Sequence, residues 1–206
     1  MSRADRLLIL LNGEMRRPRA VRRAARECSG VLCADGGARH AIRLGLKPRI
    51  ILGDMDSLPA RRPRWRDTVF LCDFDTERSD FEKALRFAAE HEYSEVWVGG
   101  ALGGAPDQEL VNFAVAERYA ARLRVRFVDE PEARVLGPGV HTLRLKRGQR
   151  VTLLSLGDRC RVAATRGLAF PLKDEWLERG SRGLSNLATA STIRIAITRG
   201  RAWAIF

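Results

Sequence analysis

Two aspartates stand one residue apart in Gly53-Asp54-Met55-Asp56-Ser57, and such a pair can converge on one hard cation. Magnesium is commonly held by one or two carboxylates together with substrate phosphates, so this loop reads either as a metal pair or as an Asp-rich turn. A calcium loop of the EF-hand type is excluded. It would need a ligand near position 58, Gly at 59 and Glu at 65, where the chain has Leu58, Pro59 and Trp65. Three further segments carry chemistry of the same kind. Ala34-Asp35-Gly36-Gly37-Ala38 would let a phosphate approach the backbone, or is a plain glycine turn. Residues 73–80 gather Asp73, Asp75, Glu77 and Asp80 ahead of a helix start, with Arg78 able to reach a phosphate. Residues 99–108 form a glycine loop, with Gly100, Gly103 and Gly104, that ends on Asp107 and Gln108. This loop lacks the spacing and the lysine of a P-loop, and it is not a Rossmann fingerprint.

Positioning these loops requires strands before them and helices after them. Short apolar runs at 7–11, 31–34, 49–52, 69–72, 95–98 and 125–128 predict strands, the first of them buried. Helices are predicted over 18–28, with Pro18 in the first turn, over 37–44, closed by Gly45, from Ser79 onward, and over 106–119. Ser79-Asp80-Phe81-Glu82 has the form of a reciprocal capping box. The alternation predicts an α/β fold, a parallel sheet with helices on both faces. All four acidic or glycine-rich segments, and Asn12 after the first strand, then fall at the carboxyl ends of strands, where such sheets bind ligands.

From about residue 131 the texture changes. Runs at 132–136, 140–145, 150–154, 161–164, 191–198 and 202–206 predict a small antiparallel β-sandwich or barrel. The expected organisation is therefore an α/β domain over 1–130 followed by a β-rich domain over 131–206.

Composition limits the alternatives. The chain has 206 residues and a net charge of +12, carried almost wholly by arginine, since lysine occurs only at 47, 83, 146 and 173. The basic residues are spread along the chain and no aromatics interleave with the densest cluster, so nucleic acid is not the expected partner, although a basic nucleic-acid-binding module is the rival reading. No apolar run approaches the ~18–20 residues of a membrane helix, and the run at 7–11 is too short for a secretory leader. A cytoplasmic protein is expected. The four cysteines form no Cys-x-x-Cys pair and signal neither zinc nor a disulfide framework.

Taken in order, the motifs resemble the thiamine pyrophosphokinase family. The resemblance rests on Asp35-Gly36-Gly37, on Gly53–Ser57, on Ser79-Asp80 and on the 103–108 loop with Asn112. Later it continues in Gly167-Leu168-Ala169-Phe170-Pro171-Leu172 and Ser185-Asn186. It implies diphosphoryl transfer from ATP to thiamine, giving thiamine diphosphate and AMP, with a related acceptor as the alternative. Under it Asp54, Asp56 and Asp80 hold Mg²⁺ and are catalytic. Asn12, Asp35, Gly36, Gly37, Arg78, Gly100, Gly103, Gly104, Asp107 and Gln108 bind ATP, Phe170, Ser185 and Asn186 receive thiamine, and the protein is a homodimer. One departure stands out. Ala105 occupies a position where the family usually has arginine, and Arg78 or Arg39 is expected to replace that phosphate contact.

Overall fold

The computed structural model describes residues 5–61 and 63–206. It divides into two compact units, one ending at Glu130 and the other running Pro131–Phe206.

In the first unit, among the described residues, six strands pair in parallel: β1 (Arg6–Leu10), β2 (Gly30–Ala34), β3 (Ile50–Gly53), β4 (Val69–Cys72), β5 (Glu95–Gly99) and β6 (Arg124–Phe127). Their spatial order is β6-β5-β1-β2-β3-β4. Four helices lie between them in sequence: α1 (Pro18–Glu27), α2 (Ala38–Leu44), α3 (Asp80–Glu90) and α4 (Pro106–Tyr119). The register decides which face each helix covers. Leu8 pairs with Val31 and Trp97, and all three share one apolar cluster with Val21 and Ala24 of α1 and Ala38, Ala41 and Leu44 of α2. One residue along, Ile9 pairs with Val98, and Val98 with Phe127. Phe127 meets Phe81 of α3 and Phe113 of α4, with ring centroids 6.2 and 5.4 Å apart. Helices therefore cover both faces. This is why Leu7, Leu8, Ile9 and Leu10 are all buried and why β1 reads as an unbroken apolar run. Each such side chain stabilises the fold by roughly 1.5–3 kcal/mol.

The helix ends depart from expectation in one detail. The Ser79 hydroxyl accepts from the Glu82 amide at 3.3 Å, as a capping box requires. The Glu82 carboxylate does not complete the box. It pairs instead with Arg118 of α4 and with Arg78, because two guanidiniums outcompete one backbone amide for a buried carboxylate.

In the second unit, β7 (Ala133–Leu136), β8 (Gly139–Arg144), β9 (Arg150–Leu154), β10 (Cys160–Arg166), β11 (Lys173–Leu177), β12 (Asn186–Leu187), β13 (Thr192–Arg199) and β14 (Ala202–Ile205) form two antiparallel sets. Their orders are β11-β10-β13-β8 and β12-β9-β14-β7. Alternate residues Ile193, Ile195 and Ile197 of β13 share one cluster with Val151 and Leu153 of β9 and Ala202 and Ala204 of β14. Strands β11 and β12 were not expected from the sequence. The first carries Lys173, Asp174 and Glu175, and only its pairing with β10 makes it a strand. The second is a two-residue ladder on β9.

Cys28, Cys33 and Cys160 are buried, whereas Cys72 at the end of edge strand β4 is exposed. Burial raises the Cys33 thiol far above its ordinary range. No helix among the described residues is long and apolar enough to cross a membrane.

Candidate active site

The chain runs outward from β1 to β4 and then returns to β5 on the other side of β1, so strand order reverses at the β1–β5 boundary. Crevices form at such a reversal, beyond the carboxyl ends of the strands. A cleft of about 420 Å³ opens there. Its walls come from the ends of β1 (Leu11, Asn12, Gly13), of β2 (Asp35, Gly36) and of β5 (Gly100, Ala101, Gly104), from the starts of α3 (Ser79, Asp80) and α4 (Asp107, Gln108, Glu109), and from Ser57. Leu11 N–H donates to the Gly99 carbonyl at 2.9 Å and Gly13 N–H to the Gly100 carbonyl at 3.0 Å, which tie the two loops across the reversal.

Asp35 is the buried acid of the site, 2% exposed and held at φ 35° in the short 3₁₀ turn after β2. The register Ala34↔Leu52 sets it beside the loop that follows β3. Its Oδ2 accepts the Ser57 amide at 3.0 Å, while Oδ1 is buried and receives no donor. Carboxylate oxygens of Asp35, Asp54 and Asp56 lie within 4.8 Å of one another. Asp54 Oδ1 also accepts the Asp56 amide at 3.2 Å, and the Ser57 hydroxyl donates to Asp56 Oδ1 at 2.9 Å. Asp80 stands next to this group across Gly53. A Cβ on Gly53 would lie 2.8 Å from Asp35 Cβ and 3.3 Å from Asp80 Oδ1, so only glycine lets the two acids approach this closely.

Electrostatics sort the acids. Burial raises the Asp35 pKa; the Ser57 amide opposes this, and Asp56, Asp80 and Asp54 push it further up. Asp56 goes the other way, lowered chiefly by the Ser57 hydroxyl and by Asp35. Burial also raises Asp80, with Lys83 opposing and Asp54 and Asp56 adding to the rise. Carboxylates packed so closely that Asp35 and Asp80 ionise at a cost, with one buried oxygen lacking any donor, fit a divalent cation with oxygen ligands. Asp35, Asp54 and Asp56 could hold such an ion, with Asp80 at its margin.

The cleft brings together most of the residues singled out in the sequence. Asn12, Asp35, Gly36, Asp80, Gly100, Gly104, Asp107 and Gln108 line it. The Asn12 side chain packs on Gly36, where a Cβ would come within 2.7 Å of it. Gly37 lies behind the wall against the Leu10 carbonyl. Gly103 is outside the lining, and its amide is pinned by the Glu109 carboxylate of α4. Arg78 points elsewhere, into ion pairs with Asp75 and Glu82. In the second unit, Asn186 is buried and clasps Phe170: its Oδ1 accepts the Phe170 amide at 3.0 Å and its Nδ2 donates to the Phe170 carbonyl at 2.6 Å. The Phe170 side chain is 63% exposed. Ser185 takes φ 57° and donates its amide to Thr152 Oγ1.

Sequence reading overlooked Lys83. Only 4% exposed, its Nζ donates to Asp80 Oδ1 at 3.2 Å and to the Asp73 carbonyl at 2.9 Å. The available signal was a lysine one turn after Asp80 in a chain that otherwise uses arginine. Glu109 was missed as well; with Asn112, whose Nδ2 donates to the Ala101 carbonyl at 2.8 Å, it fixes the glycine loop from the helix that follows.

The sequence profile described as "Thiamin pyrophosphokinase, catalytic domain" matches residues 21–127. Among curated proteins, "Thiamine pyrophosphokinase 1" of Oryza sativa subsp. japonica is 26% identical over 208 residues, covering 84% of this chain and 77% of that protein. "Thiamine pyrophosphokinase 2" of Arabidopsis thaliana is 27% identical over 207 residues, covering 84% and 76%. Among solved structures, the thiamine pyrophosphokinase of Bacillus subtilis gives a TM-score of 0.82 at 18% identity over 97% of both chains. That of Candida albicans gives 0.78 at 16% identity over 97% of this chain and 89% of the other. These last two likenesses speak to the fold.

Proposed function

Because the chain belongs to the thiamin pyrophosphokinase family, whose members are enzymes, we propose that it transfers the diphosphoryl group of ATP to thiamine, giving thiamine diphosphate and AMP. The observation that carries this reading is the cluster of Asp35, Asp54 and Asp56, of which Asp35 lines the cleft at the strand-order reversal, within the segment that matches the family's catalytic domain.

In the proposed reaction the thiamine hydroxyl oxygen forms a bond to the β-phosphorus of ATP. The bond from that phosphorus to the α,β-bridging oxygen breaks, AMP leaves with that oxygen, and the hydroxyl proton is lost. Such a transfer depends on positioning and on neutralising charge more than on covalent help. Asp35, Asp54 and Asp56, with Asp80, hold Mg²⁺ in this reading; bound there, the ion offsets charge on the phosphate oxygens. Asn12, Gly36, Gly100, Gly104, Asp107 and Gln108 orient the nucleotide. In the Pro131–Phe206 unit, Phe170 offers an exposed aromatic face to the cationic thiazolium, with Ser185 and Asn186 fixing the backbone around it. The working state is a cytoplasmic homodimer.

The deciding experiment incubates the protein with thiamine, ATP and magnesium and separates the nucleotides by chromatography. AMP and thiamine diphosphate are expected in equal amounts. ADP as the first product, with thiamine monophosphate, overturns the reading. AMP release with another alcohol but not with thiamine corrects the acceptor.

A further inference from the structure

The wall of the cleft is unbalanced in charge. Asp35, Asp80, Asp107 and Glu109 line it, and among the described residues no lysine or arginine does. A triphosphate placed there meets four carboxylates, and position 105 contributes only a methyl group. Several basic groups lie nearby, and most are already engaged. Lys83 is buried on Asp80 and the Asp73 carbonyl. Arg78 is paired with Asp75 and Glu82, and Arg16 with Glu14. His40 Nε2 donates to the Gly13 carbonyl at 2.8 Å.

Arg39 differs from all of these. It is exposed on the first turn of α2, and its Nη2 makes one long contact, 3.4 Å, to the Ser57 carbonyl. A guanidinium has five N–H donors, so most of its fork is unused. Ser57 is itself a wall residue, follows Asp56 directly and donates its amide to Asp35. That contact holds Arg39 beside the loop that carries Asp54, Asp56 and Ser57, next to the acidic cluster.

Resting on the reading of the cleft as an ATP site, we propose that Arg39 grips the β- and γ-phosphates of ATP and supplies the cationic contact that Ala105 does not. A planar fork held beside that loop can turn from a carbonyl to a phosphate without disturbing the fold, and it recognises phosphate bidentately. Arg39 thus sets the affinity for the transferred group and leaves recognition of the nucleoside to the other loops.

The test compares wild type, Arg39→Ala, Arg39→Lys and the double variant Arg39→Ala with Ala105→Arg, by equilibrium binding of Mg·ATP and of AMP and by steady-state kinetics. Arg39→Ala should weaken Mg·ATP binding and raise the KM for ATP roughly ten- to hundredfold, the worth of a hydrogen-bonded charge pair. AMP binding should hold, Arg39→Lys should fall between, and the double variant should recover. The inference is overturned if Arg39→Ala binds Mg·ATP like the wild type, or if it weakens AMP equally. A wild type that turns over while Arg39→Ala does the same defeats this inference alone. A wild type that fails to bind Mg·ATP defeats the functional reading beneath it.

Discussion

The Lys83 ammonium reaches the Asp80 carboxylate at 3.2 Å from the next turn of the same helix, and it is more deeply buried than the acid it serves. Its second bond, to the Asp73 carbonyl, anchors it to the loop that leads into α3. Lys83 is therefore a positioning residue that also favours the charged form of Asp80. Burial, Asp54 and Asp56 all raise the Asp80 pKa, and Lys83 is what opposes them. In Lys83→Met the opposition is gone and the pKa climbs further. Activity that needs ionised Asp80 should then appear only at higher pH. The acid limb of kcat/KM against pH should move upward, with the deficit largest in acid and smallest in alkali. A variant whose profile is lowered but keeps the wild-type shape would assign Lys83 to packing alone.

Asp54→Asn and Asp56→Asn should each reduce AMP formation by on the order of a hundredfold or more, since each removes a charged oxygen from the proposed ion site. Both side chains are exposed, so circular dichroism and melting temperature should match the wild type. Turnover near the wild-type rate at saturating magnesium would remove these residues from the site.

Asp35→Asn should separate stability from activity. The folded-state pKa of Asp35 lies above its unfolded value, so between the two the native state binds more protons than the unfolded chain. Stability conferred by the protonated form is full below the unfolded pKa and is lost as pH rises through the folded one. In chelator, the amide variant should match the wild type in acid and exceed it in stability at neutral pH. Asparagine also tolerates the left-handed backbone found here. Added magnesium should raise the wild-type melting temperature and leave the variant unmoved. Equal pH–stability curves in chelator would contradict the assignment of Asp35 as the strained acid.

Gly53→Ala places a methyl group between Asp35 and Asp80, at a φ of 150°. It should lower stability by about 1–3 kcal/mol and cut turnover sharply. Gly137→Ala, where nothing lies within 4 Å of the added carbon, serves as the neutral control. Denaturant midpoints of the two variants settle the comparison, and similar midpoints would show that the approach at Gly53 has slack.

How far the sequence reveals this architecture depends on the scale of the cause. The β/α alternation is legible because the inner strands β1, β2, β3 and β5 are buried on both faces and must be apolar runs, as Leu7 to Leu10 is. The paired aspartates are legible because Asp54 and Asp56 are neighbours in the chain. The entry of Asp35 into the same cluster is not. It depends on β2 and β3 being adjacent in register, a fact of pairing and not of local pattern. Lys83 stayed hidden for a related reason, since a charged residue on a helix is read as facing water until its partner's depth is known. Strand β11 was missed because its charged residues carry no alternation, and its neighbour β10 imposes the extended form.

The distribution of thiols makes the chain its own reporter. One sulfur, Cys72, meets solvent in the native state; Cys28 and Cys33 are sealed in the parallel-sheet unit and Cys160 in the β-rich unit. A maleimide pulse should modify one sulfur in the folded protein and all four after denaturation. At intermediate denaturant, the order in which Cys33 and Cys160 become modified tells whether the two units open together or one after the other. No engineered label is needed to time that event.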